Sequence, residues 1–144
     1  MQKTKVRELM KSGLALISPD ATLHEAARRM QEVNCGFLPV GSNDRPEGII
    51  TDRDIVVRAV SQGKNPVQEK VRNYMTTRIF GCREDDTLEE AAKIMNQNNV
   101  SRLIVKNSSG KTTGVLSFGR IIREDSNQEE LGRVVCCATG RKAA

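Results

Sequence analysis

The chain has 144 residues, 38% of them apolar and 28% charged, which suits one compact domain or two small ones and excludes whole-chain disorder and a large catalytic barrel. Its 23 Lys and Arg outnumber 18 Asp and Glu, but the charges are interleaved and the aromatics are only Phe37, Tyr74, Phe80 and Phe118, a solvated surface rather than a nucleic-acid footprint. No apolar run approaches the roughly 20 residues that cross a bilayer, and MQKTKVRELMK lacks the apolar stretch of a secretory signal, so a cytoplasmic protein without membrane contact is expected.

In chain order, the lead Val6-Arg7-Glu8-Leu9-Met10 is followed by Leu14 to Ile17, a short apolar run ahead of the Ser18-Pro19-Asp20 turn, which predicts a strand. Thr22 with Glu25 three residues on is a capping box, and Leu23, Ala26, Ala27, Met30 and Val33 supply the buried face of the helix it starts. Strands are predicted at Phe37 to Val40 and Gly48 to Thr51, across a turn rich in Gly, Ser, Asn, Asp and Pro. A second helix runs from Asp52 to about Ser61. Pro66 and the polar stretch Gln68 to Lys70 mark a junction.

The pattern then repeats. Val71-Arg72-Asn73-Tyr74-Met75 follows the first lead at an offset of 65 residues, and Thr87-Leu-Glu-Glu-Ala-Ala follows Thr22-Leu-His-Glu-Ala-Ala at the same offset, which means duplication. Asn34 matches Asn99 and Val40 matches Val105. A one-residue insertion then shifts the register, so that Gly48 matches Gly114 and Thr51 matches Ser117. The second copy predicts a strand at Arg78 to Cys82, a helix capped by Thr87 and Glu90, strands at Leu103 to Val105 and Gly114 to Ser117, and a helix from about Gly119 to Glu124.

The fold class is therefore α/β in the wider α+β sense, with two tandem β-α-β-β-α repeats, residues 1–68 and 69–126, and a tail over 127–144. Neither copy buries both its helices on so small a sheet, so the two are expected to pack about a pseudo-two-fold axis. In the tail, Leu131, Val134 and Val135 suggest a short apolar helical face ahead of Cys136-Cys137 and the basic Arg141-Lys142. Cys35, Cys82, Cys136 and Cys137 lack C-x-x-C spacing and read as reduced thiols, with no metal site. The sole histidine, His24, gives a nucleophilic triad little to build on.

The Val-x-x-x-Met leads, Ser18-Pro-Asp-Ala-Thr-Leu-His-Glu-Ala-Ala, Phe37-Leu-Pro-Val40 and Gly48-Ile-Ile-Thr-Asp-Arg-Asp-Ile55, in this order and duplicated, resemble the CBS-pair or Bateman module, also found inserted in IMP dehydrogenase. The resemblance covers roughly Lys5 to Glu124. It implies a regulatory module that senses an adenosine-type ligand (AMP, ADP, ATP or S-adenosylmethionine), with no cofactor and no enzymatic activity, signalling by conformational or oligomeric change. It also implies a homodimer; any regulated protein partner stays unidentified.

By that resemblance Thr51 and Asp54 hold the ribose hydroxyls, for which a carboxylate is a strong acceptor. The same two residues also make a good helix cap without any ligand. Ile17, Phe37 and Leu38 would flank the base with Pro39 shaping the strand and Ser18 adding hydrogen bonds, or they are ordinary core. Arg53 and Arg102 are candidate phosphate cations, the alternative for Arg53 being an exposed helix arginine. Repeat 2 carries Arg120 where repeat 1 has Asp54, and a guanidinium accepts no hydrogen bond, so that position is lost, repurposed for an anion, or lends Arg120 to a phosphate held elsewhere. At most one nucleotide per chain is expected, centred on Asp54. The rival readings are a protein-interaction module with a vestigial pocket and an enzyme of the IMP dehydrogenase type, whose barrel and cysteine loop are not in this sequence.

Overall fold

The computed structural model describes residues 3–13, 15–42 and 44–141; Leu14 of the first predicted strand and Lys142 of the basic end lie outside them. The chain forms two compact units, Ala15–Ile79 and a discontinuous one made of Met1–Leu14 with Phe80–Ala144.

Neither unit coincides with a sequence repeat, because the two leads are exchanged. Val6 donates its N–H to the Asp86 carbonyl at 2.8 Å, Arg7 to Glu84 at 3.1 Å, and Leu88 to Thr4 at 3.1 Å. The same bonds recur 65 residues on: Val71 to Ala21 at 2.8 Å, Arg72 to Pro19 at 2.9 Å, Leu23 to Glu69 at 2.9 Å. Val6 and Val71 are both fully buried, each in the core of the other repeat's body. The ion pairs Arg7–Asp85 and Arg72–Asp20 complete the symmetry, and Arg72 beside Asp20 holds that carboxyl below its ordinary range.

In the unit Ala15–Ile79, helix α2 (Leu23–Val33) opens on the expected capping box. Thr22 Oγ1 accepts the Glu25 N–H at 3.1 Å, and Glu25 Oε2 accepts the Thr22 N–H at 3.0 Å. It ends at Asn34, whose φ of 52° places it in the left-handed region that stops helices. Strands β2 (Phe37–Gly41) and β3 (Pro46–Thr51) pair antiparallel, with Phe37 opposite Thr51, Leu38 opposite Ile50 and Pro39 opposite Ile49. A bulge after Val40 turns the chain at Gly41, where φ is 110° and a Cβ would stand 2.8 Å from the Arg45 carbonyl, so only glycine fits. The following helix is π-helical over Asp54–Ala59 and tightens to a 3₁₀ turn at Val60–Gln62, an uncommon wide form. Leu23, Ala26, Met30, Leu38, Val40, Ile50, Ile55, Ala59 and the incoming Val71 make the core.

The other unit holds α1 (Val6–Leu9), β1 (Lys11–Ser12), β4 (Gly81–Arg83), α3 (Leu88–Asn98), β5 (Arg102–Lys106), β6 (Thr112–Ser117), α4 (Phe118–Glu124) and α5 (Gln128–Thr139). Its sheet runs β1-β6-β5-β4, with β4 parallel to β5 and the remaining pairs antiparallel. Thr87 and Glu90 form the second capping box, and Asn99 at φ 53° stops α3 as Asn34 stops α2.

Four expectations need correcting. The strand predicted from Leu14 to Ile17 is reduced, within the described residues, to a single parallel bridge between Ile17 and Val40, and its counterpart in the second copy is the strand Gly81–Arg83 rather than Arg78 to Cys82. Ala27 is exposed, whereas its match Ala92 is fully buried; the tail helix α5 packs along α3 and supplies that cover. On α5 itself Val134 is buried and Leu131 half-buried, but Val135 points outward at 38% exposure.

Candidate functional site

The candidate residues of repeat 1 all belong to the unit Ala15–Ile79. Strand alternation divides those on β2 between two faces. Leu38 and Val40 point into the core with Ile50. Phe37 and Pro39 take the other face, where Phe37 lies directly opposite Thr51, the last residue of β3. The core position of Leu38 therefore removes its side chain from any slot that contains Phe37 and Thr51. Ile17 likewise packs against the core, and its backbone is spent: its N–H reaches the Pro39 carbonyl at 3.1 Å and its own carbonyl accepts the Gly41 N–H at 3.0 Å. Ser18 is exposed, and its Oγ accepts the Asp20 N–H at 3.1 Å.

At the exit of β3 the backbone turns from strand to helix, and Thr51 and Asp54 cap that turn reciprocally. Thr51 Oγ1 accepts the Asp54 N–H at 3.0 Å, and Asp54 Oδ2 accepts the Thr51 N–H at 3.0 Å. The cap predicted from the spacing is thus made. It leaves the Thr51 hydroxyl proton to donate and Asp54 Oδ1 to accept, the pair of functions that a cis-diol complements. Both side chains are half-buried, so polar groups docking there are partly shielded from water.

Sequence reasoning passed over Gly36 and Asp52. The Asp52 N–H donates to the Gly36 carbonyl at 2.8 Å, and a Cβ on residue 36 would stand 2.6 Å from Asp52 Oδ2, so glycine admits the carboxylate. Asp52 Oδ1 accepts the Arg53 N–H at 2.8 Å while Arg53 stays exposed. The one available signal was a glycine directly before a strand. Arg58, four residues past Asp54, was also passed over; its Nη1 donates to the Tyr74 carbonyl at 2.5 Å.

Arg102 and Arg120 belong to the other unit. Arg102 opens β5 opposite Ser117. Ser117 Oγ accepts the Arg120 N–H at 3.0 Å, as Thr51 does for Asp54, but the Arg120 guanidinium is engaged: Nε donates to the Leu9 carbonyl at 2.5 Å.

All four cysteines are free. Burial, with the nearby Asp86 carboxylate, pushes the Cys82 thiol up to about 12, which makes it a poor nucleophile. Cys35 Sγ donates to the Phe37 carbonyl at 3.2 Å. Among the described residues no group of three or more His, Cys, Asp and Glu side chains is placed to hold a metal ion, and no helix is long and apolar enough to cross a membrane.

Comparison with known proteins matches a family model described as CBS domain to residues 6–61 and again to 71–127. Protein MK0525 of Methanopyrus kandleri is 34% identical over 124 residues, which are 85% of this chain and 63% of that protein. The CBS domain-containing protein YhcV of Bacillus subtilis is 30% identical over 129 residues, 90% of this chain and 91% of YhcV. The inosine-5'-monophosphate dehydrogenase of Methanocaldococcus jannaschii is 30% identical over 93% of this chain but only 27% of its own length.

Among solved structures, Hypoxic Response Protein I with two coordinated zinc ions superposes with a TM-score of 0.70 at 28% identity, covering 85% of this chain and 99% of that one. CBS domain protein PAE2072 from Pyrobaculum aerophilum complexed with AMP gives 0.74 at 24% identity, covering 89% and 98%. The CBS domain pair of protein MJ0100, in complex with 5'-methylthioadenosine and S-adenosyl-L-methionine, gives 0.73 at 24% identity, covering 85% and 95%.

Proposed function

The chain belongs to the CBS-domain family, and from that premise we propose that it is a regulatory module, not an enzyme, that senses an adenosine-type ligand through repeat 1. The observation that carries the reading is the Thr51–Asp54 turn. Its reciprocal cap fixes both side chains and still leaves one donor and one acceptor for a ribose. Phe37 and Pro39 share the strand face on which Phe37 stands opposite Thr51, but both are buried, so a base would have to lie at the edge of this apolar layer; the exposed Arg53 beside the turn is a candidate phosphate partner. Relatives of the same fold bind AMP, or 5'-methylthioadenosine and S-adenosyl-L-methionine, which supports an adenosine moiety as the shared element.

Such a module works by population shift: a ligand stabilises the arrangement it binds more tightly, and a partner reads the difference. The expected assembly is a cytoplasmic homodimer. Val56, Val57 and Val60 stand 58%, 45% and 51% exposed on the helix after Thr51, and Ile122 occupies the place of Val56 in repeat 2 at 46%. An apolar surface recurring at matched positions suits a self-complementary contact.

Calorimetric titration with AMP, ADP, ATP and S-adenosylmethionine tests the reading, with binding of at least one at a stoichiometry of one per chain expected. One observation favours a second reading. The reciprocal cap accounts for Thr51 and Asp54 with no ligand at all, as befits a protein-interaction module with a vestigial pocket. Failure of all four ligands to bind decides for that alternative.

A further inference from the structure

The two repeats hold their exchanged leads with an arginine, but not with the same one. Leu9 and Tyr74 are equivalent positions, 65 residues apart, and each ends the short helical turn of its lead, where carbonyls lack partners inside the turn. Arg120 Nε donates to the Leu9 carbonyl and Arg58 Nη1 to the Tyr74 carbonyl, both at 2.5 Å. In the second half of the repeat, where Thr51 matches Ser117, Arg120 matches Asp54 and Arg58 matches Glu124. The same carbonyl is therefore reached from helix positions four residues apart. Residues at that spacing share a helix face, with Cβ atoms about 5–6 Å apart, well within the reach of a long guanidinium side chain.

We propose that Arg58 and Arg120 are one lead clasp in two alternative positions, and that its placement decides which repeat can offer a ribose acceptor. In repeat 2 the clasp stands at the acceptor position and consumes it. In repeat 1 it stands one turn further on, so position 54 carries a carboxylate. Arg58 is thus a positioning residue: it holds the lead so that position 54 need not carry a donor and is open to a carboxylate. Only the ligand half of this proposal rests on the nucleotide reading of Asp54; the clasp half concerns the folded protein alone.

The test moves the clasp. Thermal unfolding of the full chain without ligand is measured for Arg58→Ala, Arg120→Ala, Asp54→Ala with Arg58→Ala, and Arg120→Ala with Glu124→Ala. Each is compared with its transplant, Asp54→Arg with Arg58→Ala, or Arg120→Ala with Glu124→Arg. Single losses should lower Tm by about 2–8 °C, more for the half-buried Arg120 than for the exposed Arg58. Arg58→Lys and Arg120→Lys, which keep a cationic N–H donor but lose the guanidinium's reach and geometry, should fall between wild type and Ala. Each transplant should recover at least half of the Tm lost by its double-alanine reference, and Asp54→Arg with Arg58→Ala should lose the nucleotide response while regaining stability.

Transplants no more stable than their double-alanine references overturn the clasp, whatever nucleotides do. A transplant at position 54 that still responds to nucleotide as wild type does overturns the link between clasp and acceptor. Recovery of Tm in a protein whose wild type binds no nucleotide leaves the clasp standing and defeats only the ligand reading.

Discussion

Replacing Asp54 by Asn separates the two jobs assigned to its carboxylate. Oδ2 now accepts the Thr51 N–H at 3.0 Å, and an asparagine oxygen can take over that bond. The remaining position then becomes an NH₂, which donates and cannot accept from a ribose hydroxyl. Without ligand the cost is the loss of a first-turn negative charge, about 0.3–1 kcal/mol. Asp54→Ala also loses the bond from the Thr51 N–H, while Thr51 Oγ1 still accepts the N–H of residue 54, at about 1 kcal/mol in total or somewhat more. At about 2–4 °C per kcal/mol for a chain of this size, the asparagine variant should melt within about 4 °C of wild type and the alanine variant slightly lower. With ligand the two variants converge. Either substitution removes a charge-assisted bond of about 1.5–3 kcal/mol, a loss of about 10- to 150-fold in affinity. The assay is differential scanning fluorimetry with and without AMP at a fixed excess, since stabilisation follows ligand concentration over Kd. An asparagine variant whose AMP-induced shift equals that of wild type refutes the ribose role and leaves Asp54 as a cap.

Two further outcomes follow from asymmetric packing. Ala27→Leu, on the open face of α2, should change stability by no more than about 0.5 kcal/mol, whereas Ala92→Leu, under α5, should cost about 1–3 kcal/mol from overpacking; urea midpoints at constant m-value measure both. Asp125 Oδ2 and Glu130 Oε1 are both buried without a partner, and Glu130 Oε2 accepts the Thr4 N–H at 2.9 Å. Burial, with the Glu130 carboxylate beside it, raises Asp125 above its ordinary range. Burial also pushes Glu130 upward, but the Thr4 donors, Asp125 and the nearby Arg133 outweigh it and leave Glu130 lowered. A group raised in the native state gains stability as pH falls through its folded value toward the unfolded one. Asp125→Asn supplies a permanent N–H donor toward Glu130, so it should raise Tm at pH 7 and lose this advantage as pH falls into the carboxylate range. A constant difference from pH 7 to pH 4 would show that the two groups share no proton.

The features legible in the sequence are those fixed by local chemistry. Thr22–Glu25 and Thr87–Glu90 cap helices wherever those helices pack, and Asn34 and Asn99 stop them because asparagine tolerates a positive φ. Thr51–Asp54 was legible as a cap for the same reason. Illegible features depend on which surface arrives from elsewhere. Ala27 and Ala92 have identical settings in the periodicity, and only the tail helix distinguishes them. Leu38 and Phe37 are adjacent apolar residues, and only the pleat puts one in the core and the other beside Thr51. In the sequence Arg120 stayed open between a lost site, one repurposed for an anion and a phosphate partner, because its partner is the Leu9 carbonyl, 111 residues back, which no local pattern reveals.

The exchange of leads also separates the unit of duplication from the unit of folding. Val6 and Val71 read the same whichever core receives them, so the repeat bounds 1–68 and 69–126 follow from similarity alone. A fragment of residues 1–68 keeps α2, β2 and β3 but lacks Val71, buried in their core, and the Tyr74 and Met75 side chains packed against it. Burying one valine contributes about 1.5–3 kcal/mol, a large share of the stability of a domain near 65 residues. The lead also accepts or donates the backbone bonds of Leu23, Val71 and Arg72 and pairs Thr76 with Ile49 at 2.8 and 2.9 Å. A fragment of residues 15–79 keeps all of these. By circular dichroism and urea titration, fragment 15–79 should unfold cooperatively while 1–68 shows a broad transition or none. Equal cooperativity in the two fragments would mean that the lead is an accessory to this core and not a part of it.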